Sequence, residues 1–494
     1  MTVEPSENTK ALPANSIGKQ AAWNYLTFGL SKASTVIMTV VVARLLTPSD
    51  FGQFTLVLVV VNVFEYVKDL GVSAALVQSP RSWDRLAPTG LTLSVIFGAA
   101  VGGIVAVVAP AASSALHHPQ LTPLIRVLGL GMALAAFSAI PAARLRRDLD
   151  FRRRMWPEFI SSAAKAIITI ALAFAGLGVW SLVYGQLAGT LVLASMYWWV
   201  SATPVRFGFD RQQARDLLRY GIPHTAATLL AFAIYNVDYL AIGVRLGDRP
   251  LGLYTIAYRL PELLVLSLCV VISEVLFSSL SRLQHSRTQL RQHYLQVVTV
   301  VAALSAPISI TLAASAPSVI QTLYGHEYAP AAPVLAVLSA YALIYSASWH
   351  AGDVFKAVGK PSLLVATSMG KLAIMIGPIW WAAGRSIVFV GLVLAAVELV
   401  HLVANMALVR SSAGIAVRSL GKALLQPMPA AICLGVVTMA IGHMTARWPA
   451  PLTLITDVLA GLPIYLAALR LTAPGTFATG LTVLRSVRHR PEAP

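Results

Sequence analysis

Several ionisable side chains lie inside long apolar segments of this sequence, where a charge is costly and usually functional. The cations among them are Lys32, Lys68, Arg259 and Lys371. The groups that could exchange a proton or a cation are Glu65, Asp69, Asp238, Glu262, Glu398 and His401. Arginine binds phosphate oxygens through a bidentate fork and lysine binds them as a point charge. These residues are therefore candidates for binding an anionic ligand and for coupling to an ion or a proton.

Some of these charges have neighbours that would neutralise them. Lys68 lies one helical turn from Glu65, and Arg259 lies one turn from Glu262, so each can form an intrahelical ion pair instead of a ligand site. Lys32 has no acid on its own apolar segment. Its charge therefore needs a partner from another helix, from water or from a ligand.

Glu398 and His401 have the Glu-x-x-His spacing that helical bundles use to hold pairs of iron ions. Such a site needs a second copy of the motif and further carboxylates, and the sequence contains no second copy. We therefore predict no metal site and no cofactor here. We expect Glu398 and His401 to form a buried hydrogen-bonded pair. The more specific alternative is that they relay protons.

A basic loop lies between two apolar segments and reads RLRRDLDFRRR. Positive charges at this kind of position set membrane topology and bind anionic lipid head groups, each worth about 1 kcal/mol near the surface. The same loop could attract an anionic substrate. Its arginines are Arg144, Arg146, Arg147, Arg152, Arg153 and Arg154.

The composition identifies the kind of chain that carries these charges. Of 494 residues, 57% are apolar and 12% are charged, whereas soluble domains are about 25% charged. A net charge of +17 would suit a nucleic-acid protein, but a mean hydropathy of +0.72 does not, because such proteins expose their basic faces to water. The sequence thus predicts a multi-span membrane protein that binds no nucleic acid. With two cysteines, both in apolar stretches, a disulfide framework is excluded.

The apolar segments predict an all-α integral membrane protein with about 14 transmembrane helices, the first at residues 21–43 and the second at 54–77. Cytoplasmic loops carry most of the Lys and Arg in such proteins. With both termini inside, the predicted outside loops hold few of the 37 basic residues, namely Arg44, Arg245, Arg249, Arg385 and Arg447. We therefore predict a multi-pass protein of the inner or plasma membrane with both termini in the cytoplasm.

The chain also contains a candidate internal repeat. Residues 41–56 read VVARLLTPSDFGQFTL, and residues 241–256 read AIGVRLGDRPLGLYTI. At this offset of 200 positions, identical residues face each other at Leu46/Leu246, Gly52/Gly252 and Thr55/Thr255. An even number of spans separates the copies, which predicts two halves with the same membrane orientation.

Four segments resemble polysaccharide transporters of the Wzx type, whose superfamily also contains lipid II flippases and multidrug-and-toxin exporters. They are residues 16–54, the basic loop 144–154, LLRYGIPH at 217–224 and LYGHEYAPAAPVL at 323–335. The resemblance implies two six-helix lobes, residues 16–220 and 221–425, that face a cavity. We expect residues 1–15 to be a cytoplasmic tail, 426–472 two further helices and 473–494 a basic tail.

The resemblance further implies a flippase that carries polyprenyl-diphosphate-linked oligosaccharide to the outer leaflet by alternating access. The expected partners are this lipid-linked substrate, anionic lipids, and the polymerase and glycosyltransferases of the same pathway. One alternative is an ion-coupled multidrug exporter of the same superfamily. A second is a membrane-embedded polymerase or transferase. Short loops without a glycine-rich phosphate-binding motif favour a transporter over an enzyme.

Overall fold

A computed structural model describes residues 34–148, 150–201, 206–283, 286–445 and 447–478. Within these ranges the chain forms helices and no strands, which confirms the predicted all-α fold. Thirteen helical stretches there are long and apolar enough to cross a membrane, and a shorter apolar helix covers Ser34–Ala43. The first predicted span begins outside the described residues, so the total of 14 and the internal repeat stay predictions.

The helices divide between two compact units. The first unit takes the chain up to Leu45 and Val60–Leu229, and the second takes Leu46–Val59 and Leu230 onward. Two long helices contribute to both units: α2 (Pro48–Val67) and α8 (Arg211–Leu246). The other helices of the first unit are α1 (Ser34–Ala43), α3 (Val72–Gln78), α4 (Trp83–Ala115), α5 (Thr122–Arg147), α6 (Phe151–Phe174) and α7 (Val179–Ser201).

The second unit contains the remaining helices of the chain. Those before residue 358 are α9 (Asp248–Pro261), α10 (Ser267–Arg282), α11 (Arg287–Ala314), α12 (Ala316–Tyr324), α13 (Ala332–Trp349) and α14 (Ala351–Ala357). A π-helical turn, Glu262–Leu266, joins α9 to α10. The later helices are α15 (Pro361–Ala383), α16 (Ile387–Ala413), α17 (Val417–Leu425), α18 (Met428–Met444) and α19 (Ala450–Thr472).

Local sequence signals explain where α2 begins and ends. Thr47 and Asp50 cap its first turn reciprocally, because each side chain accepts the backbone N–H of the other at 3.3 and 3.0 Å. Pro48 occupies the first helical position, where its missing N–H costs nothing. The helix ends at Val67, so the predicted second span at 54–77 is in fact α2, a turn at residues 68–71 and the short helix α3.

Within the second unit, the N-terminal turns of α2 and α9 pack at backbone contact. A Cβ atom at Gly52 would lie 1.8 Å from the carbonyl oxygen of Asp248, and one at Gly252 would lie 1.7 Å from that of Pro48. The contact therefore needs glycine on both sides. Three residues further along each helix, the Thr55 and Thr255 hydroxyls are hydrogen-bonded to each other at 3.2 Å. These are the positions that the repeat alignment pairs.

Within the second unit, helices α18 and α19 pack against α11 and against the serine that follows it. Small residues form the seam, where Ala306, Ala430 and Ala431 are buried together. Tyr465 of α19 donates its hydroxyl to the backbone oxygen of Ala303 at 2.7 Å. The hydroxyl of Ser315 donates to the buried carboxylate of Asp457 at 2.7 Å, which fixes α19 at a second point.

Candidate functional site

A polar cavity of about 320 Å³ lies within the first unit, between the end of α2, the helices α5, α6 and α7, and the middle of α8. Ligand pockets commonly span about 300–1,000 Å³. Charged and titratable groups line the cavity alongside Thr225, Thr228 and Ser138. They are Glu65, Lys68, Asp69, Arg146, Arg154, Glu158, Tyr197 and His224.

Lys68 reaches this cavity at the turn that ends α2. Its ammonium group forms the predicted ion pair with Glu65, and the lysine is the more buried of the two. Asp69, which the sequence places on the same helix face, has a different local role. Its carboxylate accepts hydrogen bonds from the Gly71 N–H at 3.0 Å and from the Ser73 hydroxyl at 2.5 Å. Asp69 therefore holds the turn that leads into α3.

Arg154 faces the cavity from the first turn of α6. Its Nε donates to the Glu158 carboxylate at 2.7 Å, and the Tyr197 hydroxyl donates to the same oxygen at 3.1 Å. A carboxylate that already accepts two donors holds both of them in place. The three side chains thus form a pre-oriented polar wall that joins α6 to α7.

Arg146 is the cation of the cavity that has no carboxylate partner among the described residues. It lies on the last turn of α5 and is exposed. The sequence analysis assigned Arg146 and Arg154 to the membrane surface, together with the rest of the basic loop. The structure places both in one cavity with Lys68, which leaves a guanidinium available for an anionic ligand.

The other arginines of the basic loop lie outside this cavity. The Arg144 and Arg147 guanidinium groups lie 5.2 and 5.9 Å from the centre of the Trp83 ring, at cation–π distance. Arg147 also donates to the backbone oxygen of Leu76 at 3.1 Å. It thereby holds the end of α5 against α3. Arg152 and Arg153 are exposed, and their predicted role at the lipid surface stays a prediction.

In the second unit, Lys371 of α15 and Glu398 of α16 form a buried ion pair with a 2.5 Å N–O distance. The Glu398 carboxylate is fully buried and also lies 3.1 Å from Nδ1 of His401. The ammonium group of Lys371 lies 5.0 Å from the centre of the Tyr345 ring. The ligand role predicted for Lys371 stays a prediction. The structure gives it a protein partner that the sequence analysis did not pair with it.

The other predicted ionisable groups of the second unit lie on α8, α9 and the π-helical turn. Asp238 is 4% exposed and accepts the Tyr254 hydroxyl at 2.6 Å through one oxygen. Its other oxygen is buried without a partner among the described residues. Arg259 and Glu262 form the predicted pair at 3.3 Å, and both side chains stay more than a third exposed. Lys32 lies outside the described residues.

The structure thus brings Lys68 together with two arginines, while Arg259 and Lys371 belong to the other unit. Sequence reasoning missed Glu158, Tyr197 and His224 as cavity residues. A signal in the sequence was the GIPH segment, where Pro223 lies inside α8 next to His224. Among the described residues, no group of three His, Cys, Asp or Glu side chains could hold a metal ion.

Many apolar membrane-length helices and a polar cavity inside one bundle define a multi-pass membrane protein of the transporter class. The chain belongs to the family described as "Polysaccharide biosynthesis protein", whose sequence profile matches residues 41–333. This result confirms the predicted family.

Relatives and solved structures agree with this assignment. The chain is 26% identical to the succinoglycan biosynthesis transport protein ExoT of Rhizobium meliloti, covering 78% of this chain and 75% of that protein. It is 22% identical to the lipopolysaccharide biosynthesis protein WzxC of Escherichia coli, with 68% and 69% covered. The fold is similar to that of the lipid II flippase MurJ in an inward closed conformation, with a TM-score of 0.72 at 14% identity over 91% of this chain and 98% of that one. An inward-facing multidrug transporter of the MATE family gives a TM-score of 0.63 at 14% identity, with 79% and 96% covered.

Proposed function

We propose that this protein is a flippase that moves a polyprenyl-diphosphate-linked oligosaccharide from the inner to the outer leaflet of the cell membrane. The lipid tail can stay in the bilayer, whereas the diphosphate and sugars need a polar route across it. The observation that carries the proposal is the cavity of the first unit, which is lined by Lys68 and by Arg146, an arginine without a carboxylate partner among the described residues, in a bundle of membrane-length helices.

The cavity chemistry fits a sugar diphosphate. Arg146 offers a bidentate fork for phosphate oxygens, and Lys68 offers a second positive charge. Sugar hydroxyls need both donors and acceptors, which the Glu158 carboxylate, the Tyr197 hydroxyl and the threonines of α8 supply. The lining contains as many carboxylates as Lys and Arg side chains, and this balance favours a ligand that is both charged and rich in hydroxyls.

The transport cycle that we propose is alternating access between two lobes, residues 16–220 and 221–425, with both termini in the cytoplasm. By the predicted topology, the cavity opens toward the cytoplasm. The head group enters there while the tail stays in lipid, and a rearrangement then exposes the head group to the outside. Lys32 and Arg259 are proposed as further cations on this route. The polymerase and glycosyltransferases of the same pathway are the proposed protein partners.

The decisive experiment reconstitutes the purified protein in vesicles that carry a fluorescent polyprenyl-diphosphate saccharide. A membrane-impermeant reagent then measures how much head group reaches the opposite leaflet. We expect protein-dependent translocation, and Arg146→Ala should reduce its initial rate at least tenfold. A chain that elongates or transfers the saccharide without moving it would be an enzyme, and export of cationic drugs alone would identify a multidrug exporter.

A further inference from the structure

Two arginines lie beside each other at one end of the second unit. Arg245 is on the last turn of α8, and Arg385 is in the turn between α15 and α16. Both side chains are exposed, and neither forms an ion pair within the described part of the chain. By the predicted topology this end lies outside, where few of the 37 basic residues fall. The preference of Lys and Arg for cytoplasmic loops therefore does not explain the pair.

A contact with Gly384 places the Arg245 guanidinium group at the turn that carries Arg385. A Cβ atom at Gly384 would lie 2.7 Å from Nη2 of Arg245, which is inside van der Waals contact. The backbone of Gly384 is right-handed, with φ at −75°, and would accept other residues. The glycine therefore leaves room for a guanidinium group, next to Arg385 in the chain.

Aromatic rings hold Arg385. Its Cζ atom lies 3.5 Å from the centre of the Trp381 ring and 6.0 Å from the centre of the Phe389 ring. Stacking uses the flat face of a guanidinium group and leaves its N–H edges free. No acceptor among the described residues takes a hydrogen bond from the guanidinium groups of Arg385 and Arg245. The rings thus orient Arg385 while its donors stay available for a ligand.

The turn between α15 and α16 is itself anchored. Ala382 and Ala383, which precede it, are fully buried. The Ala382 carbonyl accepts the N–H groups of Arg385 at 2.9 Å and of Ser386 at 3.3 Å. The Ser386 hydroxyl then caps α16 by accepting the Phe389 N–H at 3.2 Å. Arg385 therefore extends from a fixed backbone, and binding a ligand there does not require ordering a loop.

The carboxylate that is closest to Arg245 along the chain, Asp248, is engaged elsewhere. One of its oxygens accepts the Gln53 side-chain amide at 2.9 Å, and the other accepts the backbone N–H of Arg249 at 2.7 Å. Neighbouring like charges repel each other, so a pair of arginines without a counter-charge favours an anion. Guanidinium groups match the oxygens of a phosphate group through two parallel hydrogen bonds.

Exposed aromatic side chains indicate where this anion lies. Trp381, Phe389 and Trp380 are 55%, 44% and 39% exposed. Tryptophan is enriched at the ends of membrane helices, where its ring lies at the level of the lipid head groups. A phosphate group that reaches the two arginines at this level is one that a lipid carries.

We propose that Arg245 and Arg385 bind the phosphate group of a lipid at the outer surface of the membrane. Two lipids share this chemistry: an anionic phospholipid of the outer leaflet, and the polyprenyl diphosphate of the proposed substrate after it has crossed. The second source rests on the proposed flippase function, whereas the first does not.

The test is native mass spectrometry of the full chain in detergent, titrated separately with phosphatidylglycerol and with polyprenyl diphosphate. We expect the double variant Arg245→Gln with Arg385→Gln to bind at least one of these lipids at least fivefold more weakly than the parent. The matched control is Arg447→Gln, because Arg447 is an exposed arginine between α18 and α19 that the same topology places outside. Its lipid affinities should change less than twofold.

A second variant tests the site without removing a charge. Gly384→Ala adds a methyl group that displaces only the flexible end of the Arg245 side chain, so the fold should persist. We expect it to weaken lipid binding at least twofold relative to Gly377→Ala on α15, whose added Cβ would meet nothing within 4 Å. This comparison decides the question if the double arginine variant fails to fold.

The two titrations distinguish the source of the phosphate group. Weaker binding of phosphatidylglycerol alone would identify the leaflet lipid, and weaker binding of polyprenyl diphosphate alone would identify the transported lipid. Unchanged binding of both lipids in the double variant would overturn the proposal, and so would an equal loss in Arg447→Gln. Absence of translocation in the vesicle assay would count against the proposed function and would leave a phosphatidylglycerol site standing.

Discussion

The hydroxyl groups of Thr55 and Thr255 form a hydrogen bond across 200 residues of sequence, at 3.2 Å. They occupy equivalent positions of the two sequence segments that look like copies of each other. Gly52 and Gly252 flank this bond and bring the two backbones into contact. By the predicted topology the contact lies on the outer side, so a protein that releases its substrate there must separate these helices.

Joining α2 to α9 covalently should therefore stop transport. In a background without Cys269 and Cys433, Thr55→Cys with Thr255→Cys should form a disulfide under mild oxidation, because the hydroxyl oxygens that the two sulfur atoms would replace lie 3.2 Å apart. We expect flipping to fall to background and to return on reduction. Each single cysteine variant is the control. Full activity of the oxidised pair would mean that this contact never opens.

The glycine contact predicts a localised cost for an added methyl group. Gly52→Ala places a Cβ at 1.8 Å from a backbone oxygen, which the helices can relieve only by moving apart. Overpacking of this kind costs about 1–3 kcal/mol, so the melting temperature in detergent should fall. Gly103→Ala on α4 is the matched control because nothing lies near its added Cβ. Equal melting temperatures for the two variants would contradict the contact.

Two arginines of the basic loop should differ sharply in function. Arg146 lines the cavity without a carboxylate partner among the described residues, whereas Arg152 is exposed and lies outside it. We expect Arg146→Ala to lower the initial flipping rate at least tenfold, and Arg152→Ala to change it less than twofold. The measurement is head-group translocation in vesicles at matched protein amounts. Similar losses in both would assign the loop to lipid attraction instead.

The buried ion pair predicts that a single substitution destabilises the protein more than the double substitution does. Glu398→Gln leaves the Lys371 ammonium buried without its counter-charge, and breaking such a pair costs about 3–5 kcal/mol. Adding Lys371→Met removes the stranded charge and should restore most of the loss. Unfolding of Glu398→Gln, Lys371→Met, the double variant and the parent in detergent measures this coupling. If the double variant were no more stable than Glu398→Gln, Lys371 would have another partner.

Sequence patterns predicted the parts of this molecule that depend on local spacing. The apolar segments predicted the helical membrane fold, and the i,i+3 spacing predicted the Lys68–Glu65 and Arg259–Glu262 pairs, all of which the structure contains. Asp69 was predicted as a helix residue, although Gly71 two positions later is a turn signal. Its carboxylate instead binds the turn that follows α2.

Contacts between helices were not predictable in the same way. Lys371 and Glu398 are 27 positions apart on apolar helices with little polar–apolar asymmetry, so the sequence does not indicate which faces meet. The grouping of Lys68 with Arg146 and Arg154 likewise depends on how α2, α5 and α6 are rotated about their axes. Hydrophobic periodicity defines such rotations only where one face is distinctly polar.

The seam between the C-terminal helix pair and α11 has a consequence for substitutions in that pair. Helices α18 and α19 attach through small residues and two hydrogen-bonded points, Tyr465 and Asp457, all within the second unit. None of the residues that line the cavity of the first unit comes from this pair. Substitutions on the exposed faces of these two helices should therefore leave the cavity intact, provided that the alanine seam and those two anchors persist.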